Sequence, residues 1–248
     1  MIPVFTLSYS RLKDFRSRLP KLKNIVNYVI DNNSQEWDKT LDGSYYATSK
    51  NIGCAGGWNL ICDIAFSHLS LDKIVITQDD LDLSSDLYEQ AYEEATATEI
   101  VGVVQPFYEF SAFAITKDTW LNVGRFDENC LFVYGEDVDY KQRCYLKNIH
   151  ISSLHEPNGV NGATIKDHPN LNRIMANRAY ITRKWGASIN PDLIAANDGQ
   201  PPFQYQTPFD LNSDFPLVYQ HTYKYENSDR QGFPSEHEYK RFLRHGFT

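Results

Sequence analysis

Long apolar segments are absent from the 248-residue sequence: no run of 18 or more apolar residues occurs, so no transmembrane segment is expected. Positive charge is also scarce, with 24 Lys and Arg against 32 Asp and Glu, a formal net charge of −8. Binding to duplex nucleic acid depends on a strong positive field, so this balance argues against it. The apolar start of the chain, 1–7, is too short for a secretory signal, and none is expected.

Cysteine is rare as well. The four cysteines are Cys54, Cys62, Cys130 and Cys144. Their spacing matches no zinc-binding pattern, and without an export signal we expect reduced thiols. Internal repeats, low-complexity segments and Gly/Ser linkers are also missing. With 42% hydrophobic and 23% charged residues, the composition is that of a soluble globular protein. We therefore expect a cytoplasmic protein, with peripheral attachment to a membrane as the alternative.

Strand-like and helical segments alternate along most of the chain. Apolar, β-rich runs lie at 2–8, 25–30, 45–49, 73–77, 100–105 and 149–154, and helical patterns lie at 11–19, 58–68 (after a glycine cluster at 53–57), 84–98, 136–147 and 177–186. This alternation predicts an α/β fold with a mostly parallel, Rossmann-like sheet flanked by helices. Beyond residue 186 the chain is rich in Pro, Asn and Asp without a sustained period. We therefore expect a domain at 1–186 and an irregular C-terminal extension at 187–248 that packs on it or mediates self-association into a homo-oligomer.

Acidic side chains follow two of the predicted strands. Asp31 ends the second strand, and Asp79, Asp80 and Asp82 follow the strand at 73–77. Ligands of such sheets bind beyond the carboxyl ends of the strands, where these residues fall. Three carboxylates in four positions favour a hard divalent cation, Mg²⁺ or Mn²⁺, which takes one or two carboxylates together with phosphate oxygens. A solvated acidic turn that caps the next helix is the alternative interpretation.

A second acidic group opens the predicted helix at 136–147. Glu136 and Asp137 follow Gly135 and lie in the first turn, where the helix dipole favours their ionised form. An ionised carboxylate in a cleft can accept a proton from a hydroxyl nucleophile. Plain helix capping is the alternative. His155, after the strand-like run at 149–154, is either a ligand or a structural histidine.

The order and spacing of these motifs resemble those of the family 2 glycosyltransferases, which have the GT-A fold. The resemblance spans residues 3–186 and rests on the segments 5–11, 31–34, 51–59, 78–83, 126–128 with 136–143, and 155 with 177–186. Its most specific part is Phe126-Asp127-Glu128 followed by Glu136-Asp137-Val138-Asp139. The sequence departs from the family pattern at Ser10, where Asn is usual, and at Gln78, where the first Asp of the metal-binding Asp-x-Asp turn often stands.

The resemblance implies a metal-dependent, inverting glycosyltransferase, of the kind used in polysaccharide biosynthesis. It would move a sugar from a nucleotide-sugar donor, with UDP- or dTDP-sugars expected, to a hydroxyl of a glycan, a lipid-linked molecule or another acceptor. The implied nucleotide-sugar contacts are Thr6, Tyr9, Asp31, Asn51, Gly53 and Asp79. The cofactor, Mn²⁺ or Mg²⁺, would be held by Asp80, with Asp82 and His155 as further candidate ligands.

The resemblance also assigns the acceptor side of the reaction. Asp137 would be the general base, Glu136 would position the acceptor, and Arg178 and Lys184 would contact the diphosphate. The aromatic segment 107–113 lies where the family shapes the acceptor pocket, although Phe110 and Phe113 fit a hydrophobic core equally well.

Two other functions stay open on the sequence. One is a catalytically inactive module of the same fold that binds glycans or nucleotides, against which the intact Asp80 and Asp137 argue. The other is a sugar nucleotidyltransferase, an enzyme class with a similar nucleotide-binding sheet. Those enzymes carry a glycine-rich loop with Arg and Lys directly after the first strand, and residues 7–11 contain no glycine.

Overall fold

The computed structural model describes residues 1–9, 23–32, 44–48, 51–106, 108–130 and 135–156, together with 177, 180–181 and 184–185. The strands in these ranges are β1 (Ile2–Ser8), β2 (Ile25–Asp31), β3 (Ser44–Ala47), β4 (Lys73–Gln78), β5 (Glu99–Val104), β6 (Ala112–Thr116) and β7 (His150–Glu156). The helices are α1 (Gly53–Cys62), which continues as a π-helix (Asp63–His68), α2 (Ser85–Glu94), a 3₁₀ turn (Glu109–Ser111), α3 (Lys117–Val123) and α4 (Glu136–Leu146). The predicted helix at 11–19, Arg178, the division at residue 186 and the extension at 187–248 lie outside the described residues.

The described strands form one seven-stranded sheet in the order β3-β2-β1-β4-β6-β5-β7. The pairs β1–β2, β1–β4, β2–β3 and β5–β7 are parallel, and β6 is antiparallel to both of its neighbours. The predicted α/β fold with a mostly parallel sheet flanked by helices is therefore confirmed. Ser8 pairs with Asp31, and Leu7 pairs with Gln78, so β1, β2 and β4 end at the same edge of the sheet.

Helices cover both faces of the sheet, because successive side chains of a strand point to opposite sides. Phe5 and Leu7 of β1 join a core that includes residues of α1, α3 and α4, whereas Val4 joins a second core with Tyr88 of α2. Helix α1 lies close to β1: a Cβ at Gly57 would come within 2.5 Å of Leu7 Cδ1. Gly57, in the glycine-rich segment, thus allows α1 to pack closely against β1.

The antiparallel strand β6 was not predicted from the sequence. Its residues are all buried, so the alternation of apolar and polar side chains that marks a half-exposed strand is missing. Phe113 in β6 and Phe110 just before it are both in the core, where their rings pack against Phe126 at centroid distances of 6.2 and 5.8 Å. These two phenylalanines are therefore core residues, the second of the two interpretations left open by the sequence.

One helix ends earlier than the sequence predicts. The helix expected at 84–98 ends at Glu94, because Ala95 adopts an extended conformation and Thr96 pairs with Glu99 in a tight turn before β5. All four cysteines are free thiols, as expected. Within the described ranges, each helix is too short or too polar to cross a bilayer.

Candidate functional site

Asp79 ties together the ends of two neighbouring strands. It follows β4, is buried, and its Oδ2 accepts hydrogen bonds from Ser8 Oγ at 2.7 Å and from the backbone N–H of Tyr9 at 2.9 Å. The phenol ring of Tyr9 is 52% exposed at this edge. Two of the predicted nucleotide contacts, Tyr9 and Asp79, thus lie where β1 and β4 end.

Asn32, directly after β2, organises the loop that leads into α1. Its Oδ1 accepts from the backbone N–H of Ile52 at 2.8 Å, and its Nδ2 donates to Asn51 Oδ1 at 3.1 Å and to the Gly53 carbonyl at 3.2 Å. Gly53 has a φ of +74°, a left-handed conformation that favours glycine. The backbone N–H of Asn32 donates to the Ser8 carbonyl at 2.8 Å, which joins this loop to the end of β1. Asn32 belongs to the predicted turn at 31–34 but was assigned no role of its own, although its amide can donate and accept hydrogen bonds at once.

Asp31 lies beside this loop at the end of β2. Its side chain is buried, and Oδ2 accepts a hydrogen bond from the hydroxyl of Tyr45 in β3 at 2.5 Å. Its backbone carbonyl accepts from the N–H of Thr48 at 2.9 Å. Four predicted nucleotide contacts, Asp31, Asn51, Gly53 and Asp79, are therefore brought together along one edge of the sheet.

Thr6 and Asp82 lie on the side of the sheet that α2 covers. Thr6 is buried, and its hydroxyl donates to Asn27 Oδ1 at 3.3 Å. Both residues line a cavity of about 510 Å³ between β1, β4 and the start of α2. Asp82 is exposed at this cavity.

The first turn of α4 carries the predicted acceptor-side residues. It begins after Gly135, which has a φ of +105° and whose backbone N–H donates to Asp137 Oδ1 at 3.3 Å. Glu136 is buried and Asp137 is half-buried. In the part of the chain that the structure describes, Asp137 has no ion-pair partner.

Asp139, in contrast to Asp137, is held by three side chains. Residues two apart on a helix do not face the same way, and Asp139 is fully buried on the other side of the turn. Its Oδ1 binds Lys184 Nζ at 2.7 Å and Trp185 Nε1 at 2.9 Å, and its Oδ2 binds the guanidinium of Arg143 at 2.9 Å. Asp139 is therefore a structural carboxylate.

Lys184 was expected to contact a diphosphate, and the structure gives it other partners. Its Nζ binds Asp127 Oδ2 at 2.6 Å as well as Asp139. Burial alone would lower the pKa of Lys184, but these two carboxylates raise it above its usual range. Burial raises the pKa of Asp127, and the nearby ammonium of Lys184 nevertheless holds it below its usual range. Lys184 thus neutralises two buried acids.

Cys54 is influenced by both acidic groups, the one after β4 and the one at the start of α4. It is half-buried in the first turn of α1. Burial raises the pKa of its thiol well above the usual value, and the charges of Glu136, Asp137, Asp80 and Asp79 raise that pKa further. A charge shifts a pKa only when it is near, so the acidic residues after β4 and at the start of α4 lie within electrostatic range of the same thiol.

Asp80 has the features of a cation ligand. Its Oδ1 is buried and receives no hydrogen bond from the described residues. A carboxylate oxygen in that state suits a divalent cation, because buried acceptors normally have a partner. No three His, Cys, Asp or Glu side chains within the described ranges come together as a metal cluster. The backbone of His155 lies in β7, and its side chain is outside the described residues.

Comparison with known proteins gives little further information. No protein-family model matches the sequence, and no curated protein matches it. Among solved structures, a cytidylyltransferase from Leptospira borgpetersenii serovar Hardjo-bovis matches with a TM-score of 0.41 and 13% sequence identity, covering 84% of this chain and 98% of that one. A similarity of this size carries no argument about the chemistry of the site.

Proposed function

We propose that the protein is a metal-dependent, inverting glycosyltransferase that moves a sugar from a nucleotide-sugar to an acceptor hydroxyl. The proposal is supported most by one observation: besides burial, the charges of Asp80, after β4, and of Asp137, at the start of α4, both raise the pKa of the Cys54 thiol, so both carboxylates lie within electrostatic range of it. The reaction needs two acidic functions in one cleft, one for the cation on the diphosphate and one for the proton of the acceptor.

The donor would lie along the edge formed by β1, β2 and β4. In open α/β sheets ligands bind beyond the carboxyl ends of the strands, which supports nucleoside contacts at Asp31 and Asp79. The exposed ring of Tyr9 would stack against the base. Asp80 would hold Mn²⁺ or Mg²⁺, which, when bound, neutralises charge on the departing nucleoside diphosphate. UDP- and dTDP-sugars are the donors we expect.

Asp137 would act as the general base. The acceptor oxygen attacks the anomeric carbon from the face opposite the diphosphate, the bond from that carbon to the phosphate oxygen breaks, and the acceptor proton passes to the Asp137 carboxylate. Attack from the opposite face inverts the anomeric configuration, so an α-linked donor gives a β-linked product. Buried Glu136 would orient the acceptor.

Donor binding is tested with the full chain and a panel of nucleotide-sugars, each with and without Mn²⁺, in a thermal-shift assay. A ligand that binds the folded state raises its stability by RT ln(1 + [L]/Kd), so the correct donor should stand out. Asp80→Asn should remove the part of the shift that requires Mn²⁺. If no nucleotide-sugar stabilises the protein in the presence of Mn²⁺, the donor site is wrong.

Turnover is then tested with the best donor, by following nucleoside diphosphate release with and without candidate acceptors. Asp137→Asn should lower kcat by about 10²- to 10⁴-fold and keep the donor-induced thermal shift. Asp118→Asn, an exposed acid on α3, is the matched control and should keep full activity. Equal activity of wild type and Asp137→Asn would reject Asp137 as the base. Donor binding without any release would favour a binding module, and pyrophosphate release from a nucleoside triphosphate and a sugar phosphate would favour a nucleotidyltransferase.

A further inference from the structure

Five described residues near the end of the domain form one helical face. They are Asn177, Tyr180, Ile181, Lys184 and Trp185, spaced as neighbours on one side of a helix, and all of them are helical. We refer to them as the 177–185 face. Each of them is buried or half-buried, so the face is covered along its length.

The 177–185 face binds two buried acids: Asp127, which precedes α4, and Asp139, which lies in its first turn. Lys184 Nζ bridges Asp127 and Asp139 at 2.6 and 2.7 Å. Tyr180 adds a hydrogen bond to Asp127 Oδ2 at 2.7 Å, and Trp185 Nε1 adds one to Asp139 Oδ1 at 2.9 Å. Charged hydrogen bonds of this length, shielded from water, hold their partners in a narrow range of positions.

The same face also packs on the residue that begins α4. A Cβ built at Gly135 would lie 3.3 Å from Ile181 Cγ1 and 3.4 Å from Asn177 Cβ. The 177–185 face therefore contacts α4 on both sides of Asp137, at Gly135 and at Asp139.

We infer that Lys184 is a positioning residue for Asp137: by bridging Asp127 and Asp139 it fixes the first turn of α4 so that Asp137 faces the cleft beside Asp80. The inference rests on the proposed function for the role of Asp137. The contacts of Lys184 with Asp127 and Asp139 do not depend on that function. A general base displaced by about 1 Å can lose roughly 100-fold in rate, so loss of the bridge should reduce turnover even in a folded protein.

The experiment compares Lys184→Met, which keeps the length of the side chain and removes its charge, with Lys184→Arg, which keeps the charge. Lys184→Met should lower kcat by about 10- to 100-fold and change KM for the donor by less than about threefold, because donor contacts lie on the strand edge. Lys184→Arg should recover most of kcat. Lys141→Met is the matched control, because Lys141 forms a similarly buried ion pair with Glu109, at 2.7 Å, further along α4. Its kcat should stay unchanged.

A second readout does not require turnover. The rate at which iodoacetamide alkylates Cys54 at a fixed pH depends on the burial of the thiol and on the negative charges near it, those of Glu136 and Asp137 among them. Lys184→Met should raise this rate severalfold, since a displaced first turn takes negative charge away from Cys54. Lys141→Met should leave it unchanged. If wild type turns over no donor, the proposed function fails, and this rate still decides whether Lys184 positions α4.

The inference is overturned if Lys184→Met alkylates at the wild-type rate, or if its kcat equals that of wild type. A parallel loss of kcat in Lys141→Met would also overturn it, because the effect would then be a general loosening of α4. Should Lys184→Met fail to fold, Trp185→Phe takes its place, since it removes a single hydrogen bond to Asp139. That variant should lower kcat by about two- to fivefold, in proportion to the smaller loss, and unchanged kcat and unchanged alkylation together would refute the inference.

Discussion

Two aspartates in the first turn of α4 should lose very different amounts of stability on the same substitution. Asp139 is fully buried between Lys184, Trp185 and Arg143. In Asp139→Asn these donors face a neutral amide that cannot balance their charge. Breaking a buried ion pair costs about 3–5 kcal/mol, and because Lys184 keeps Asp127 as a partner we expect about 3 kcal/mol.

The companion substitution, Asp137→Asn, should have a small effect on stability. Asp137 is half-buried and has no ion-pair partner among the described residues, so only its interaction with the helix dipole is lost, about 0.3–1 kcal/mol. At about 2–4 °C per kcal/mol for a domain of this size, Tm should fall by roughly 6–12 °C in Asp139→Asn and by at most roughly 4 °C in Asp137→Asn.

Thermal and urea unfolding of the full chain, followed by circular dichroism at neutral pH, measures both values without any substrate. The assignment of Asp139 to the scaffold and of Asp137 to the chemistry requires the order given above. If Asp137→Asn unfolds at the same urea concentration as Asp139→Asn, or at a lower one, that assignment is wrong.

Two further predictions concern stability. Burial raises the pKa of Asp127 and Lys184 nevertheless holds it depressed, so its stabilisation is present above about pH 4 and is lost as the pH falls through the depressed pKa. The urea midpoint of wild type should therefore fall more steeply below about pH 4 than that of Asp127→Asn, and parallel acid limbs would contradict this. Lys73 donates to the carbonyls of Tyr92 and Ala95 at 2.7 and 2.6 Å, at the end of α2. Lys73→Met should lower the free energy of unfolding by about 1–3 kcal/mol, and a loss below about 0.5 kcal/mol in the same titration would contradict the contact.

Much of the sheet and of its acidic edge could be predicted from the sequence. The run Ile2–Ser8 is apolar up to a polar end, and the strand has the bounds that this pattern predicts. Because parallel strands end together, the positions of Asp31 and Asp79 after their strands are enough to place both at one edge. Strand β6 could not be predicted, since a strand buried on both faces has no alternating pattern.

Which of the acids are held in buried ion pairs could not be predicted either. Asp127, Asp137 and Asp139 are equivalent as sequence, and which of them is neutralised depends on Lys184, whose position relative to them is set by packing of the whole domain. The place of Cys54 was missed for a related reason. A lone cysteine between glycines and alanine resembles a core residue, and its acidic surroundings come from distant segments.

The central claim is that Asp80 and Asp137 share one cleft, and the thiol pKa of Cys54 tests it most directly. That pKa is obtained from the pH dependence of alkylation of the Cys54 peptide, quantified by mass spectrometry. Asp80→Asn and Asp137→Asn should each lower it, because each removes a negative charge that disfavours the thiolate. The controls Asp82→Asn and Asp118→Asn, which replace exposed acids, should leave it unchanged, because solvent screens exposed charges. If only one of the two test variants lowers the pKa, or if neither does, the two carboxylates do not share a cleft and the account is contradicted.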